Sequence, residues 1–306
     1  TGKSEIANRM IGHYRAATLV SCEGMSFAGL VGGVQQIDGR WHMTWGTIPM
    51  NDRRMVFLDE VSGLAEKDVI EQMSSIRSSG IAQITKIQSE QISARTRLVW
   101  IMNPGDGSTI ASKPGVAMDG LASVVPNAED QARFDFVISA AKGEVANSLI
   151  NAGFADRHEP MYSSEDCEAL VKWAWSLGRK DIFVSEQAAK AAVREAMDLG
   201  DRYVSDPPYI QSENVRFKLL RIAAAIAART FSRTKSGKLL VQSVHIKDAV
   251  RFLDMIYGSE SMGYMRKSKR AIQARELAKS RSERVRQFLH KDDAVLLTLQ
   301  VAGGNT

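Results

Sequence analysis

Two acidic residues directly follow a short apolar run early in the chain. The run covers residues 55–58, and Asp59 and Glu60 come next. A continuous apolar run suits a strand buried on both faces of a parallel sheet. Carboxylates at the carboxyl end of such a strand lie where α/β proteins bind ligands, and there they can hold Mg²⁺ and activate an attacking water. We interpret Asp59 as a magnesium ligand and Glu60 as a general base; the alternative is a structural strand that happens to end in acids.

The first four residues carry a second signal for phosphate chemistry. They match the end of the phosphate-loop pattern G-x-x-x-x-G-K-[ST], so we expect the chain to begin inside that motif. In such a loop, backbone N–H groups surround phosphates, the lysine reaches the β- and γ-phosphates, and the hydroxyl binds Mg²⁺. Together with the acids downstream, this predicts a site for ATP and Mg²⁺, with Ser4 and Asp59 as metal ligands. The predicted nucleotide-binding residues are Thr1, Gly2, Lys3, Ser4 and Asp59.

Composition is that of an ordinary globular protein. The 306 residues are 44% hydrophobic and 25% charged, which allows two or three domains with ample core. No apolar run approaches the ~18 residues of a membrane helix, and no signal peptide is visible. Cys22 and Cys167 lie far apart and match no metal spacing, which favours buried thiols in a reducing compartment. We therefore expect a cytoplasmic protein without a membrane segment.

Hydrophobic periodicity divides the first half of the chain into alternating strands and helices. Asp38-Gly39 between β-compatible residues predicts a tight hairpin turn, and Lys86 falls near the turn of a second alternating segment. The predicted elements are a helix at 5–14, a strand at 17–22, a strand pair around 37–41, the acid-tipped strand at 55–59, a helix at 66–76, a hairpin at 81–93, a strand at 97–102, a mobile loop at 104–130 and a strand at 136–140.

Two further polar residues stand beside predicted strands. Asn103 follows the strand at 97–102, where its amide could reach a γ-phosphate or an attacking water; the alternative is an Asn that starts a turn with Pro104. Arg133 precedes the strand at 136–140 and could contact a neighbouring subunit's nucleotide as an arginine finger. The alternative for Arg133 is a surface salt bridge.

From about residue 142 the pattern is helical. Amphipathic segments at 165–178, 185–199, 213–232 and 245–257 predict a small all-α domain, and serines at 163, 185 and 212 supply helix-start signals. Arg216 lies near the start of the third helix, either to contact phosphate or as a surface charge. Residues 266–286 hold nine Lys/Arg and two Glu, a net of +7 in a chain of net +5. That run predicts either a linker that contacts nucleic-acid phosphates or a solvated helix.

The order of phosphate loop, acid-tipped strand, Asn103, Arg133 and helical domain resembles that of the AAA+ ATPase family. Two hairpins narrow the resemblance to the MCM (minichromosome maintenance) replicative helicases. The resemblance covers about residues 1–258. It departs at Gly2, at residues 61–64 and at Ala132, where MCM proteins usually have Ala, Phe-Asp-Lys-Met and Ser, which indicates a divergent bacterial, phage or mobile-element relative. The motifs that carry it are GIAQITK at 80–86, ART at 94–96, Asn103-Pro104, RFD at 133–135, NVR at 214–216, LLR at 219–221 and VHIKDA at 244–249.

The resemblance implies an α/β AAA+ P-loop NTPase core with a parallel sheet and two β-hairpin inserts, plus an all-α lid. The core would span 1–141, the lid 142–260, and a basic linker with the start of a small, winged-helix-like domain 261–306. Subunits would form a ring, commonly hexameric, that unwinds DNA in replication of a chromosome or mobile element. Glu60 and Asn103 would act on the subunit's own ATP, and Arg133 and Arg216 on the neighbour's.

The resemblance also assigns the hairpins to DNA. Lys86 would contact the backbone of single-stranded or forked DNA inside the ring, because a lysine point charge reads phosphate without sequence preference. Arg40 and Trp41 would add a charge and a stacking surface; alternatively, Trp41 packs against its own domain. A different class within AAA+, the MoxR and chelatase ATPases that remodel proteins or insert metals, shares the hairpins and is the alternative function.

Overall fold

A parallel sheet organises the first half of the chain. The computed structural model describes residues 2–64, 69–86, 89–103, 121, 122, 124, 125, 127–140, 146, 148, 161–204, 210 and 212–291. The three strands β1 (Ala17–Ser21), β4 (Met55–Asp59) and β7 (Arg97–Trp100) are parallel in the order β1-β4-β7, with β4 in the centre. The fold is thus mixed α/β, as predicted. Parallel pairing brings the carboxyl ends of all three strands to one edge.

The central strand is buried on both faces, as its apolar run predicts. Val56 and Leu58 are fully buried and belong to the main core. Phe57 points to the opposite face, where it joins Ala7 in a smaller cluster. Ala7 belongs to helix α1 (Lys3–Tyr14), so α1 covers this second face. Because both faces of β4 are buried, apolar residues follow one another along the strand instead of alternating with polar ones.

Both predicted hairpins form. Strands β2 (Gly32–Ile37) and β3 (Arg40–Trp45) are antiparallel and joined by Asp38 and Gly39, whose φ angles are 49° and 74°. Two positive φ values in a two-residue loop are the geometry that an Asp-Gly pair favours. The second hairpin consists of β5 (Ile81–Thr85) and β6 (Ser89–Ser93).

Four short helices lie between these strands among the described residues, and the sequence predicted a helix at the position of the last two only. Helices α2 (Phe27–Leu30) and α3 (Thr47–Met50) flank the first hairpin. The helix predicted at 66–76 is divided at Met73 into α4 (Val69–Gln72) and α5 (Ser74–Ser79), and residues 65–68 lie outside the described part. Because the Met73 N–H still bonds Val69 O and the Arg77 N–H bonds Met73 O, the division is a local distortion.

The prediction of a strand at 136–140 is wrong. These residues belong to no strand among the described residues, although their exposure alternates as in one. A strand requires backbone hydrogen bonds to a neighbouring strand, and no such bond from residues 136–140 is found among the described residues. One contact that this segment makes is between side chains, the Ser139 and Ser261 hydroxyls at 2.6 Å. The short helix α6 (Ala128–Ala132) precedes this segment, and most of the loop predicted at 104–130 lies outside the described residues.

The second half is mostly, but not entirely, helical. The predicted starts at Ser163 and Ser185 are confirmed, since each hydroxyl accepts a backbone N–H of the first turn. The all-helical prediction missed a parallel pair of three-residue strands, β8 (Ile182–Val184) and β9 (Leu239–Val241). The helices are α7 (Ser164–Ser176), α8 (Glu186–Arg202), α9 (Ser212–Arg229) and α10 (Ser243–Tyr257).

The basic run lies within a long helix. Helix α11 (Tyr264–Lys291) has 28 residues, and its start is anchored in the core by the fully buried Tyr264, whose ring contacts Tyr203 and Tyr257. The further domain predicted toward the carboxyl end lies mainly beyond the described residues. Within the described residues, no helix combines the length and apolar character needed to cross a bilayer.

Candidate functional site

Most of the predicted nucleotide-site residues meet at the carboxyl edge of the sheet. They line a cavity of about 180 Å³. The phosphate-loop residues reach it from the start of α1, the acids from the end of β4 and the amide from the end of β7. Thr1 lies outside the described residues. The residues around the cavity are Gly2, Lys3, Ser4, Asp59, Glu60, Ile101, Met102 and Asn103.

The start of α1 brings a cation and an amide into contact. Gly2 adopts φ 89°, a left-handed conformation that glycine takes at no steric cost, and α1 begins at the next residue. Lys3 Nζ then donates a hydrogen bond to Asn103 Oδ1 at 2.7 Å. Unpaired N–H groups at a helix start and an ammonium together favour an anion. Lys3 and Asn103 are therefore close enough to contact the same phosphate.

The two acids differ in their backbone conformation. Glu60 has φ 55° and ψ 42°, which is uncommon for a residue with a side chain and costs about 1–3 kcal/mol. The surrounding structure holds it there, because the Glu60 N–H donates to Asp59 Oδ1 at 2.9 Å and Val61 N–H donates to Ile101 O at 3.2 Å. Both acids thus lie at the end of β4, where they line the cavity.

Ser21 is a site residue that the sequence reasoning missed. It ends β1 directly opposite Asp59 in the sheet register, and its hydroxyl donates to Glu60 Oε2 at 3.3 Å. The available signal was its position, a polar residue at the end of a buried parallel strand. The hydroxyl restrains the carboxylate that we interpret as the base.

The cysteine next to Ser21 is not a nucleophile. Cys22 is fully buried, and burial raises the pKa of its thiol to about 11, with added repulsion from Asp59 and Glu60. Because only the thiolate attacks electrophiles, this thiol is inert at neutral pH. Both cysteines are free; Cys22 is buried, as predicted, whereas Cys167 is only partly buried.

The predicted magnesium ligands carry donor atoms that suit this ion. Ser4 and Asp59 line the same cavity and offer a hydroxyl and a carboxylate, the oxygen ligands that Mg²⁺ prefers. Among the described residues, no group of three or more His, Cys, Asp or Glu could hold a metal. Mg²⁺ at nucleotide sites uses only one or two carboxylates plus the phosphates, so Ser4 and Asp59 fit it.

Arg133 lies outside this cavity and is paired within its own chain. It follows α6, forms an ion pair with Asp130 and donates to Ser74 Oγ at 2.5 Å. Asp130 also binds Arg77 Nη2 at 2.9 Å in a buried pair. One buried carboxylate thus holds two guanidinium groups, and the side chain of Arg133 remains 30% exposed. Arg133 thus forms a salt bridge, as its alternative interpretation predicted, but with a buried acid rather than at the surface.

Helix α9, which carries Arg216, is fastened to the segment after Arg133. Lys218 Nζ donates to Phe134 O at 2.6 Å, and Arg221 Nη1 contacts Asp135 Oδ1 at 2.7 Å. Burial lowers the pKa of Lys218 to about 8, with Asp135 opposing and Arg221 adding to the shift. Arg216 itself is exposed, with its guanidinium over the Phe217 ring at 4.7 Å. We call the Lys218–Phe134 and Arg221–Asp135 contacts the clamps on α9. The sequence analysis missed both of them, since they join residues more than 80 positions apart.

The hairpin residues lie away from the cavity and face solvent. Lys86 follows the last residue of β5 and is exposed. Arg40 and Trp41 begin β3, and Trp41 is 46% exposed, so its ring is not buried in its own domain. A cation and an aromatic ring are thus accessible on the first hairpin, and a lysine on the second.

No protein-family model matches this chain, and no curated protein is significantly similar to it. The interpretation of the site therefore rests on its residues and geometry.

Proposed function

We propose that this chain hydrolyses ATP as the motor of an MCM-like AAA+ DNA helicase. The observation that supports hydrolysis is the convergence of Lys3, Ser4, Asp59, Glu60 and Asn103 on one cavity at the sheet edge. These residues come from three separate parts of the chain, and each has the chemistry that its predicted role needs. A cavity of about 180 Å³ suits the phosphates, with base and ribose lying outside it.

Each residue of the cavity has a defined task in this proposal. Lys3 leaves Asn103 to contact the terminal phosphates, and the Asn103 amide is then available to the γ-phosphate or the attacking water. Glu60, restrained by Ser21, accepts the proton of that water. Mg²⁺, held by Ser4 and Asp59, would supply charge neutralisation of the phosphates.

The clamps on α9 support a role for one subunit in its neighbour's site. Because Lys218 and Arg221 bind Phe134 and Asp135, helix α9 and the Arg133 segment move together. Arg133 and Arg216 would then approach a neighbouring nucleotide as one unit. Arg133 would exchange Asp130 for the γ-phosphate, a stronger anion, when that neighbour binds ATP.

The exposed hairpin residues support contact with DNA. Lys86, Arg40 and Trp41 offer charge and a stacking surface without a built pocket for any base. Such contacts bind single strands without sequence preference, as translocation requires.

Substitution of the two central cavity residues tests hydrolysis. Lys3→Ala and Glu60→Gln should each lower ATP turnover by about 100-fold or more, since each removes a group that acts on the reacting phosphate. Phosphate release measured with a coupled assay gives the rate. The matched control is Arg9→Ala, an exposed residue of α1 that pairs with Glu5. Turnover that persists in Lys3→Ala or Glu60→Gln would remove that residue from the site.

The paired hairpins also occur in MoxR and chelatase ATPases, and this favours remodelling of a protein partner as the second candidate function. The two candidates differ in their activator. Single-stranded DNA should stimulate ATP turnover of a helicase motor and leave a remodelling ATPase unchanged.

A further inference from the structure

A second, larger cavity lies at the opposite edge of the sheet from the nucleotide site. Its volume is about 390 Å³. Arg15 and Ala16 precede β1, and Arg53 and Arg54 precede β4, so the cavity is at the amino edge, about 13 Å along β4 from Asp59. Helix α7 closes it with Glu168, Lys172, Trp175 and Ser176. This separation makes the two cavities independent binding sites.

The lining of this cavity carries an excess of positive charge. Four cations face one carboxylate, a net charge of +3. Lys172 neutralises that carboxylate, Glu168, at 2.5 Å, and Arg15 is paired with Glu165 outside the lining at 2.6 Å. The ion pairs of the described residues include neither Arg53 nor Arg54. Two guanidinium groups are therefore left to bind an anion.

The acid nearest in sequence to these arginines is already occupied. Asp52 accepts from the Arg95 N–H at 2.7 Å and from Arg95 Nη2 at 2.6 Å. Hydrogen bonding to Arg95 lowers the pKa of Asp52, and the nearby charge of Arg53 lowers it further, so the carboxylate stays ionised with its hydrogen bonds made to Arg95. It does not neutralise Arg53 or Arg54 by direct contact.

The backbone of Arg53 is held in a conformation that few residues adopt. Its φ is 62°, and its carbonyl accepts from Arg97 Nη1 at 3.0 Å. The Arg97 guanidinium is in turn fixed over the Trp175 ring, 4.2 Å from the centroid. Because Arg97 already uses a face of the only aromatic ring in the lining, the cavity offers charge rather than a base-stacking surface.

We propose that this cavity binds a phosphate group, which Arg53 and Arg54 contact through their guanidinium forks. Arginine forks match tetrahedral phosphate oxygens with two parallel hydrogen bonds, and a phosphate is small enough for a cavity of about 390 Å³. The group could come from a free phosphorylated molecule or from the backbone of a nucleic-acid strand. The site does not depend on the function proposed for the nucleotide cavity.

Binding is measured by titration calorimetry on the Lys3→Ala variant of the full chain, so that the nucleotide cavity does not contribute. One probe is pyrophosphate without Mg²⁺, and the other is a short oligothymidine. Arg53→Asn with Arg54→Ala is the test variant, because asparagine tolerates a positive φ and both side chains are exposed. Arg251→Ala is the control, an arginine 81% exposed and paired with Asp248.

We expect at least one probe to bind, and the double substitution to weaken it by about 100-fold, about ten-fold for each guanidinium. The control should bind as before. Pyrophosphate binding that the double substitution weakens identifies a site for small phosphorylated molecules, and oligothymidine binding alone that it weakens identifies the phosphates of a strand. Absence of binding by both probes, or equal affinity in the double variant and the control, would overturn the proposal.

Discussion

Replacing Lys218 by Met should change how the stability of the protein depends on pH. Lys218 lies on α9 with 8% of its surface exposed and donates to Phe134 O. Burial lowers the pKa of its ammonium from 10.5 to about 8. The folded state therefore binds this proton more weakly than the unfolded state does.

The size of the effect follows from that pKa. Between pH 8 and pH 10.5 the folded protein loses the proton while the unfolded chain keeps it, so the free energy of unfolding rises with pH. The stabilisation is complete above pH 10.5, the pKa of Lys218 in the unfolded chain. It is lost as the pH falls through about 8, the pKa of Lys218 in the folded protein. At about 1.4 kcal/mol per pH unit, the interval from 10.5 to about 8 amounts to about 3 kcal/mol.

Urea unfolding of wild type and Lys218→Met, followed by circular dichroism at several pH values across this interval, measures the effect. The free energy of unfolding of the wild type, relative to that of Lys218→Met, should rise by about 3 kcal/mol as the pH increases across this interval. Cys22 also titrates near this range, but it is present in both proteins and cancels. Lys190→Met is the control, because Lys190 is a surface residue of α8 with 76% of its side chain exposed. A difference that stays constant with pH would refute the buried-ammonium reasoning.

Three further predictions concern the candidate site and the hairpins. Mixing Arg133→Ala with Glu60→Gln subunits should restore part of the ATPase activity that each lacks alone, because one intact site can form between two different subunits; phosphate release from the mixture measures it. Lys86→Ala should keep basal ATP turnover within about two-fold but lose its stimulation by single-stranded DNA and forked-duplex unwinding, since one phosphate contact is removed. Iodoacetamide at pH 8 should label Cys22 about 100-fold more slowly than the partly exposed Cys167, as peptide mass spectrometry can show, because a pKa of about 11 leaves little thiolate.

Each of these has an outcome that contradicts it. Mixtures no more active than the separate variants would show that Arg133 does not complete a neighbouring site. Normal DNA unwinding by Lys86→Ala would remove this lysine from the DNA path. Equal labelling of the two cysteines in the folded protein would show that the Cys22 thiol is accessible and ionised.

Local patterns predicted the elements that position the site. The apolar run before Asp59 became a central parallel strand, Asp38-Gly39 became a tight turn, and Ser163 and Ser185 became helix caps. Each of these signals depends on a few neighbouring residues, so it is complete in the sequence. The alternation at 136–140 resembled the same kind of signal but produced no strand, because no described strand pairs with it.

The sequence by itself determined which residues could bind phosphate and that they follow strands of one sheet. Parallel pairing of β4 with β7 then brings Asp59 and Asn103 to one edge, whereas the 2.7 Å contact between Lys3 and Asn103 also depends on where helix α1 packs. Only the tertiary structure decided that Ser21 restrains Glu60 and that Lys218 reaches Phe134. The reason is physical, because such contacts depend on how distant segments pack against each other, and no local periodicity or cap encodes that arrangement.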